Sequence, residues 1–204
     1  MIRNPFMRRY STRAAAVLAL LTATFLWATP AKAQTEIPIL NPQFNRDTLT
    51  CSPGTNCDSY GVTSWITGPQ TYVLKASTTQ FPTAPPTALY VVVMGNETAS
   101  GSILQTVGAT VQANTTYTLT MEVGARADEV FTGYEAMLLA GNVTLVSGNR
   151  ATPFGGEFVT ETLVYQSGAT PAQLGQPLQV LITSKGNGQT AVSNLGLTYT
   201  PTAP

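Results

Sequence analysis

Apolar and polar positions alternate at period two along much of this chain, most regularly over residues 113–148, ANTTYTLTMEVGARADEVFTGYEAMLLAGNVTLVSG. Tyr117, Leu119, Met121 and Val123 share one parity, and Thr116, Thr118, Thr120 and Glu122 share the other. That pattern predicts a strand with one buried and one wet face. Arg126, Asp128 and Glu129 then make a charged turn, and a second apolar run from Tyr134 to Ala140 ends at Gly141 and Asn142. The spacing predicts a long antiparallel pair at the centre of a sheet.

The rest of the chain reads in the same terms. Short strands are expected at Ile37 to Leu40, at Gly61 to Thr67 around Trp65, and at Tyr72 to Lys75. Phe81 to Pro86 is too rich in proline for a strand and reads as a rigid surface connection. Ala88 to Met94 is apolar throughout, as a strand covered on both faces would be. Gly101 to Val107 precedes the central pair; Glu157 to Tyr165, Leu178 to Ser184 and Thr190 to Thr200 follow it. No segment combines helical periodicity with caps. About nine or ten short strands separated by turn residues predict an all-β fold, an antiparallel two-sheet jelly-roll sandwich.

The first residues change the picture of charge and compartment. Arg3, Arg8, Arg9 and Arg13 precede an apolar run from Ala14 to Trp27, and Ala31-Lys32-Ala33 supplies small residues at a cleavage site. Residues 1–33 are therefore expected to be a secretory signal peptide, with 34–204 a single sandwich domain and a secreted or periplasmic destination. Arg8-Arg9 admits twin-arginine export, although its flanks favour a plain basic leader. No later stretch reaches the roughly 20 apolar residues of a membrane-spanning helix. Five of the ten basic residues lie in the leader and none of the ten acidic ones do, which leaves the mature chain near −5. That balance argues against nucleic acid and anionic membrane as partners. In an exported protein the two cysteines, Cys51 and Cys57 of CSPGTNC, are expected to form a local disulfide.

Several segments occur in a suggestive order: NPQFN, GSILQTV, TTYTLTMEVGAR, GYEAMLLAG and VSNLGLTYT. Together they resemble the galactose-binding-like jelly-roll domains of secreted bacterial proteins, a group that includes many carbohydrate-binding modules and several uncharacterised extracellular families. The resemblance implies a sandwich that binds a ligand without chemistry, and it implies a structural calcium in some members. Asn45 and Asn194 stand where such domains often carry carboxylates, which disfavours calcium unless Asp47 or Asp58 compensates. No other cofactor is expected.

Candidate chemistry is limited by composition. With no histidine, Ser–His and Cys–His nucleophile arrangements are excluded. A glycosidase needs only two convergent carboxyl groups, but Glu122, Asp128, Glu129, Glu135, Glu157 and Glu161 offer no evident pair, and Glu122 and Glu161 read as wet-face residues. Sugar binding asks for aromatic rings flanked by amides and guanidinium groups. Trp65, Tyr72, Tyr90, Gln105, Arg126 and Tyr134 are the candidate ligand-binding residues, with Asn142 and Gln189 as companions. Core packing is the competing role for Trp65 and Tyr134, and an ion pair with Asp128 or Glu129 that for Arg126. The sequence reading is thus a secreted, non-enzymatic domain that binds polysaccharide. The alternative is a structural or adhesive protein contacting a cell-surface protein.

Overall fold

The computed structural model describes residues 33–47, 49, 58–84 and 86–203. The expected leader and the expected Cys51–Cys57 disulfide lie outside the described residues. Among those described there is no helix, and none is long and apolar enough to cross a membrane. The strands are β1 (Thr35–Glu36), β2 (Asp58–Tyr60), β3 (Ile66–Thr67), β4 (Thr71–Lys75), β5 (Tyr90–Met94) and β6 (Ser102–Thr110). They continue as β7 (Thr115–Ala125), β8 (Tyr134–Ala140), β9 (Val143–Gly148), β10 (Glu157–Gln166), β11 (Pro177–Ser184) and β12 (Thr190–Pro201).

Two antiparallel sheets form a jelly-roll sandwich. The seven-stranded sheet runs β10-β7-β12-β5-β4-β2, with β1 paired to β12 through Thr35 opposite Tyr199; the five-stranded sheet runs β3-β6-β11-β8-β9. The expected central pair is corrected by this arrangement. β7 lies between β10 and β12 in one sheet, whereas β8 lies between β11 and β9 in the other. Each strand buries one parity in the shared interior, and alternation alone does not say whether a neighbour lies across hydrogen bonds or across the core. The segment from Arg126 to Gly133 crosses between the sheets, ending on Gly133 at φ 94°.

The inner faces meet in one core that includes Tyr117, Leu119, Met121 and Val123 from β7, Ala136 and Leu138 from β8, and Val180 and Ile182 from β11. Trp65 belongs to this core, 8% exposed and tilted against Phe44 with ring centroids 6.0 Å apart. The expected strand at Ile37–Leu40 is not formed, β1 lying just before it, and that at Gly61–Thr67 shrinks to β3, because Ile37, Ile39 and Trp65 bury side chains from turns and irregular backbone.

A second, smaller core lies on the outer face of the seven-stranded sheet, built from Leu74, Val91, Val93, Ala191 and Phe158 and capped by Phe81. Phe81 is fully buried, its ring 4.7 Å from that of Phe158. The proline-rich connection is therefore anchored onto the sheet by its first residue. Gly124 makes room for this: a Cβ there would come within 2.4 Å of the Phe158 ring. This satellite core explains why β5 is apolar on both faces, since Val92 and Met94 face inward while Val91 and Val93 face the cap.

Candidate functional site

Arg126 follows β7 directly and keeps the parity of the outer face, beside the satellite core. Its side chain is 6% exposed, unusual for a guanidinium unless it is fully partnered. Nε donates to Asp128 Oδ1 at 2.9 Å and Nη2 to Asp128 Oδ2 at 2.7 Å, a two-pronged contact. Nη1 donates to the Tyr72 hydroxyl and to Gln189 Oε1, both at 3.1 Å, and Tyr72 Oη donates to the same Gln189 oxygen at 3.4 Å. Tyr60, cross-strand from Tyr72, adds a ring 5.8 Å away that is 73% exposed.

Backbone contacts fix this geometry. Ala127 N–H donates to the Gln80 carbonyl and Gln189 N–H to that of Val130, tying the crossing segment to its surroundings. Gly188 permits the second contact, since a Cβ there would lie 2.4 Å from the Val130 carbonyl oxygen. Burial works against the Arg126 charge, but its hydrogen bonds to Asp128 and the nearby Tyr72 and Glu129 outweigh it, so the guanidinium is held more firmly protonated than usual. The same hydrogen bond to Arg126 holds Asp128 below the ordinary aspartate range despite partial burial. With its side chain half exposed, Asp128 offers a fixed negative charge beside aromatic rings.

Two candidates from the sequence, Tyr72 and Arg126, thus meet with their companion Gln189, and the ion pair read for Arg126 is with Asp128. The remaining candidates lie elsewhere. Trp65 is in the main core. Gln105 is buried and staples the loops, accepting from Leu40 N–H and donating to the carbonyls of Leu40 and Ser64. Tyr90 is half-buried against the main core. Asn142 sits in the β8–β9 turn at φ 69°.

Tyr134 forms a separate cluster with Glu161. Expected on a wet face, Glu161 points inward and is 3% exposed, because it shares the parity of Val159, Leu163 and Tyr165 on β10. Its Oε2 accepts from the Tyr134 hydroxyl, from Arg150 N–H at 2.7 Å and from Ala151 N–H at 2.9 Å. Burial, then the Glu161 carboxyl, pushes the Tyr134 phenol above its ordinary range. A cavity of about 160 Å³ lined by Gly148, Arg150, Glu161 and Leu163 adjoins the pair.

The calcium-type positions do not offer a set of free oxygens. Asp47 Oδ1 accepts from Thr63 N–H and Oγ1–H, and its Oδ2 from Asn41 Nδ2. Asn194 Oδ1 accepts from Gln43 at 3.4 Å. Among the described residues no group of three or more His, Cys, Asp or Glu side chains is placed to hold a metal ion. The oxygens of Asp47 and Asn194 are thus engaged within the protein.

The fold and its outer-face cluster define a class, the jelly-roll sandwich, which hosts both binding modules and enzymes. Residues 35–198 match the HpiC1-like family, described as HpiC1 cyclase, and the chain belongs to that family. Among solved structures it is similar to the Stig cyclase Fisc from Fischerella sp. TAU in complex with (3Z)-3-(1-methyl-2-pyrrolidinylidene)-3H-indole. The identity is 23%, covering 84% of this chain and 100% of that one, with a TM-score of 0.71. A cyclase from Fischerella sp. TAU in complex with 4-(1H-indol-3-yl)butan-2-one is 22% identical over 83% of this chain and 100% of that one, with a TM-score of 0.68. The carbohydrate-binding module TmCBM61, bound to beta-1,4-galactotriose, is 12% identical over 80% of this chain and 98% of its own, at a TM-score of 0.52. No curated protein matches the chain in sequence.

Membership of a cyclase family overturns the expectation of a non-catalytic polysaccharide-binding domain, and with it the expectation that the chain is not an enzyme. The kinship with galactose-binding-like, carbohydrate-binding domains reduces to a shared sandwich. The physical reason is that the resemblance rested on strand patterns, which encode the sandwich and leave its chemistry open.

Proposed function

We propose that this chain is an exported cyclase, secreted or periplasmic, that closes a ring in a neutral aromatic substrate of the indole class. The observation that carries the reading is the family match across 35–198; the indole-bearing ligands of the two Fischerella cyclases suggest the substrate class. The basic, apolar leader supports export.

Within the chain, the outer-face cluster has the chemistry a cyclisation needs. Ring closure onto an aromatic nucleus passes through species with developing positive charge. A fixed carboxylate and π faces stabilise such charge most where water is partly displaced. Asp128 supplies the carboxylate, ionised at neutral pH because Arg126 holds it so. The rings of Tyr60 and Tyr72 supply the π faces, and Arg126 with Gln189 orients Tyr72. Asp128 is also the group placed to accept the proton that an aromatic carbon releases as the ring system is restored, which balances the proton that the unsaturated side chain takes up from solvent when the cation forms.

The test is to incubate the purified mature protein with 3-substituted indoles bearing unsaturated side chains, and to look for a product of unchanged mass and new ring connectivity. Asp128→Asn should lower the rate at least about tenfold, the scale of losing one charge-stabilising group. A folded protein that forms no cyclic isomer from any member of the series would refute the substrate class. Cyclisation at full rate by Asp128→Asn would remove the outer face as the site.

A further inference from the structure

At the opposite end of β7 from Arg126 a cavity of about 570 Å³ opens between the ends of β6 and β12. Its volume falls in the range typical of small-molecule sites, roughly 300–1,000 Å³. Tyr117 and Tyr199, cross-strand neighbours, form its aromatic wall, with Ile37, Ala109 and Pro201 beside them. The Tyr117 ring is locked, because its hydroxyl accepts from Gln112 N–H at 2.7 Å and donates to the Thr110 carbonyl at 3.3 Å. Tyr165 stacks nearly parallel to it, at 20° with centroids 6.3 Å apart. With both hydroxyl functions spent inside the protein and 1% of its surface exposed, Tyr117 backs the wall from the core, and half-buried Tyr199 is the ring open to the cavity.

Two features narrow what could lie there. None of the residues lining the cavity carries a charge, and burial keeps the Tyr117 phenol protonated beyond its usual range, so an ion would find no counter-charge. One polar function remains. The Gln112 amide is oriented by Nε2, which donates to Thr110 Oγ1 at 3.1 Å and to the Thr110 carbonyl at 3.4 Å. That leaves Oε1 with no hydrogen bond from the described residues. Gln112 is exposed and lines the cavity, so this acceptor is available.

We propose that this cavity is a second binding site, separate from the outer-face cluster, for a neutral planar aromatic molecule carrying one N–H donor. The ring lies against Tyr199, with Tyr117 behind it as a rigid backing, and the N–H donates to Gln112 Oε1. The proposal rests on the cavity alone and stands whether or not the outer face is catalytic.

The probes are indole and 1-methylindole, which lacks the donor, titrated into the full mature protein with amide chemical shifts and calorimetry as readouts. Indole should shift the amides of Gly108, Ala109 and Tyr199 saturably. It should bind about fivefold more tightly than 1-methylindole, the scale of one net hydrogen bond. Gln112→Ala should abolish that preference. Tyr199→Ala should weaken indole about tenfold while Tyr199→Phe retains it, so a lost ring is separated from a perturbed strand. Asp128→Asn should leave these shifts unchanged even if it abolishes cyclisation. Absence of shifts at millimolar indole overturns the proposal, as do shifts that survive Tyr199→Ala at wild-type affinity. Equal binding of the two probes removes the Gln112 contact.

Discussion

Two carboxylates in this molecule are held by hydrogen bonds near the same end of the sandwich, and they differ in what remains unspent. Glu161 sits in the interior, with a tyrosine hydroxyl and two backbone amides on a single oxygen and almost no exposure. Asp128 sits on the outer face, gripped by a buried arginine yet half open to solvent. Burying a carboxylate costs several kcal/mol unless donors are supplied, and at Glu161 the donors are the Arg150 and Ala151 amides and the Tyr134 hydroxyl. That cluster ties β8 and β10 to the segment at Arg150 and Ala151. At Asp128 the buried partner is the cation, and the anion faces outward where a ligand can reach it. Exposure of the partnered charge, rather than its burial, separates a site from a staple.

The contrast is open to direct attack. Glu161→Leu strands the Arg150 amide and the Tyr134 hydroxyl proton and leaves the Ala151 amide only the Tyr134 oxygen, and should cost about 3 kcal/mol in a denaturant titration, with little change in turnover by the fraction that remains folded. Tyr134→Phe keeps the ring and removes one donor, and should cost about 1.5 kcal/mol. The phenol at Tyr134 is held above its ordinary range, so its contribution is complete below the usual tyrosine value near about 10 and is lost as pH rises towards the folded value. Thermal melts of the wild type should fall in that alkaline window, and Tyr134→Phe should flatten the fall except for the part due to Tyr117, whose phenol is raised by burial as well. Asp128→Asn keeps an acceptor oxygen for the guanidinium but removes the charge opposite a buried cation, and should cost about 1 kcal/mol, while the rate falls by the larger factor given above. Smallest of all, Asp128 is held below the usual range, so its contribution is full above about pH 4 and fades as pH falls through its folded value. A loss of activity in Glu161→Leu that exceeds its unfolding would erase the distinction.

Much of the sandwich was legible because period-two alternation is a direct imprint of a half-buried sheet; β7, β8, β10, β11 and β12 fall close to where the pattern places them. Partnership between strands was not legible. β7 and β8 are consecutive and equally alternating, yet they face one another across the core, a choice made by the crossing segment and not by either strand. Glu161 shows a signal that was available: its parity matches Val159, Leu163 and Tyr165, and only the habit of assigning charge to water hid it. At the outer face, Tyr72, Arg126 and Gln189 could be nominated by residue type, but their meeting depends on three different strand ends. Tyr60 was missed; its signal is its position opposite Tyr72, which needs the β2–β4 register. The chemistry itself had no imprint in the strand patterns, which is why a sugar-binding reading could look coherent.

The pairing of Thr35 with Tyr199 sets the order in which this protein can be finished. β12 is also the strand that separates β7 from β5, so the larger sheet lacks its middle until β12 is in place. A chain whose β12 is still inside the ribosome therefore has two unjoined halves of a sheet. Contacts of such long sequence separation form slowly, since the closure entropy precedes the reward. Completion of the larger sheet must therefore wait until β12 has emerged.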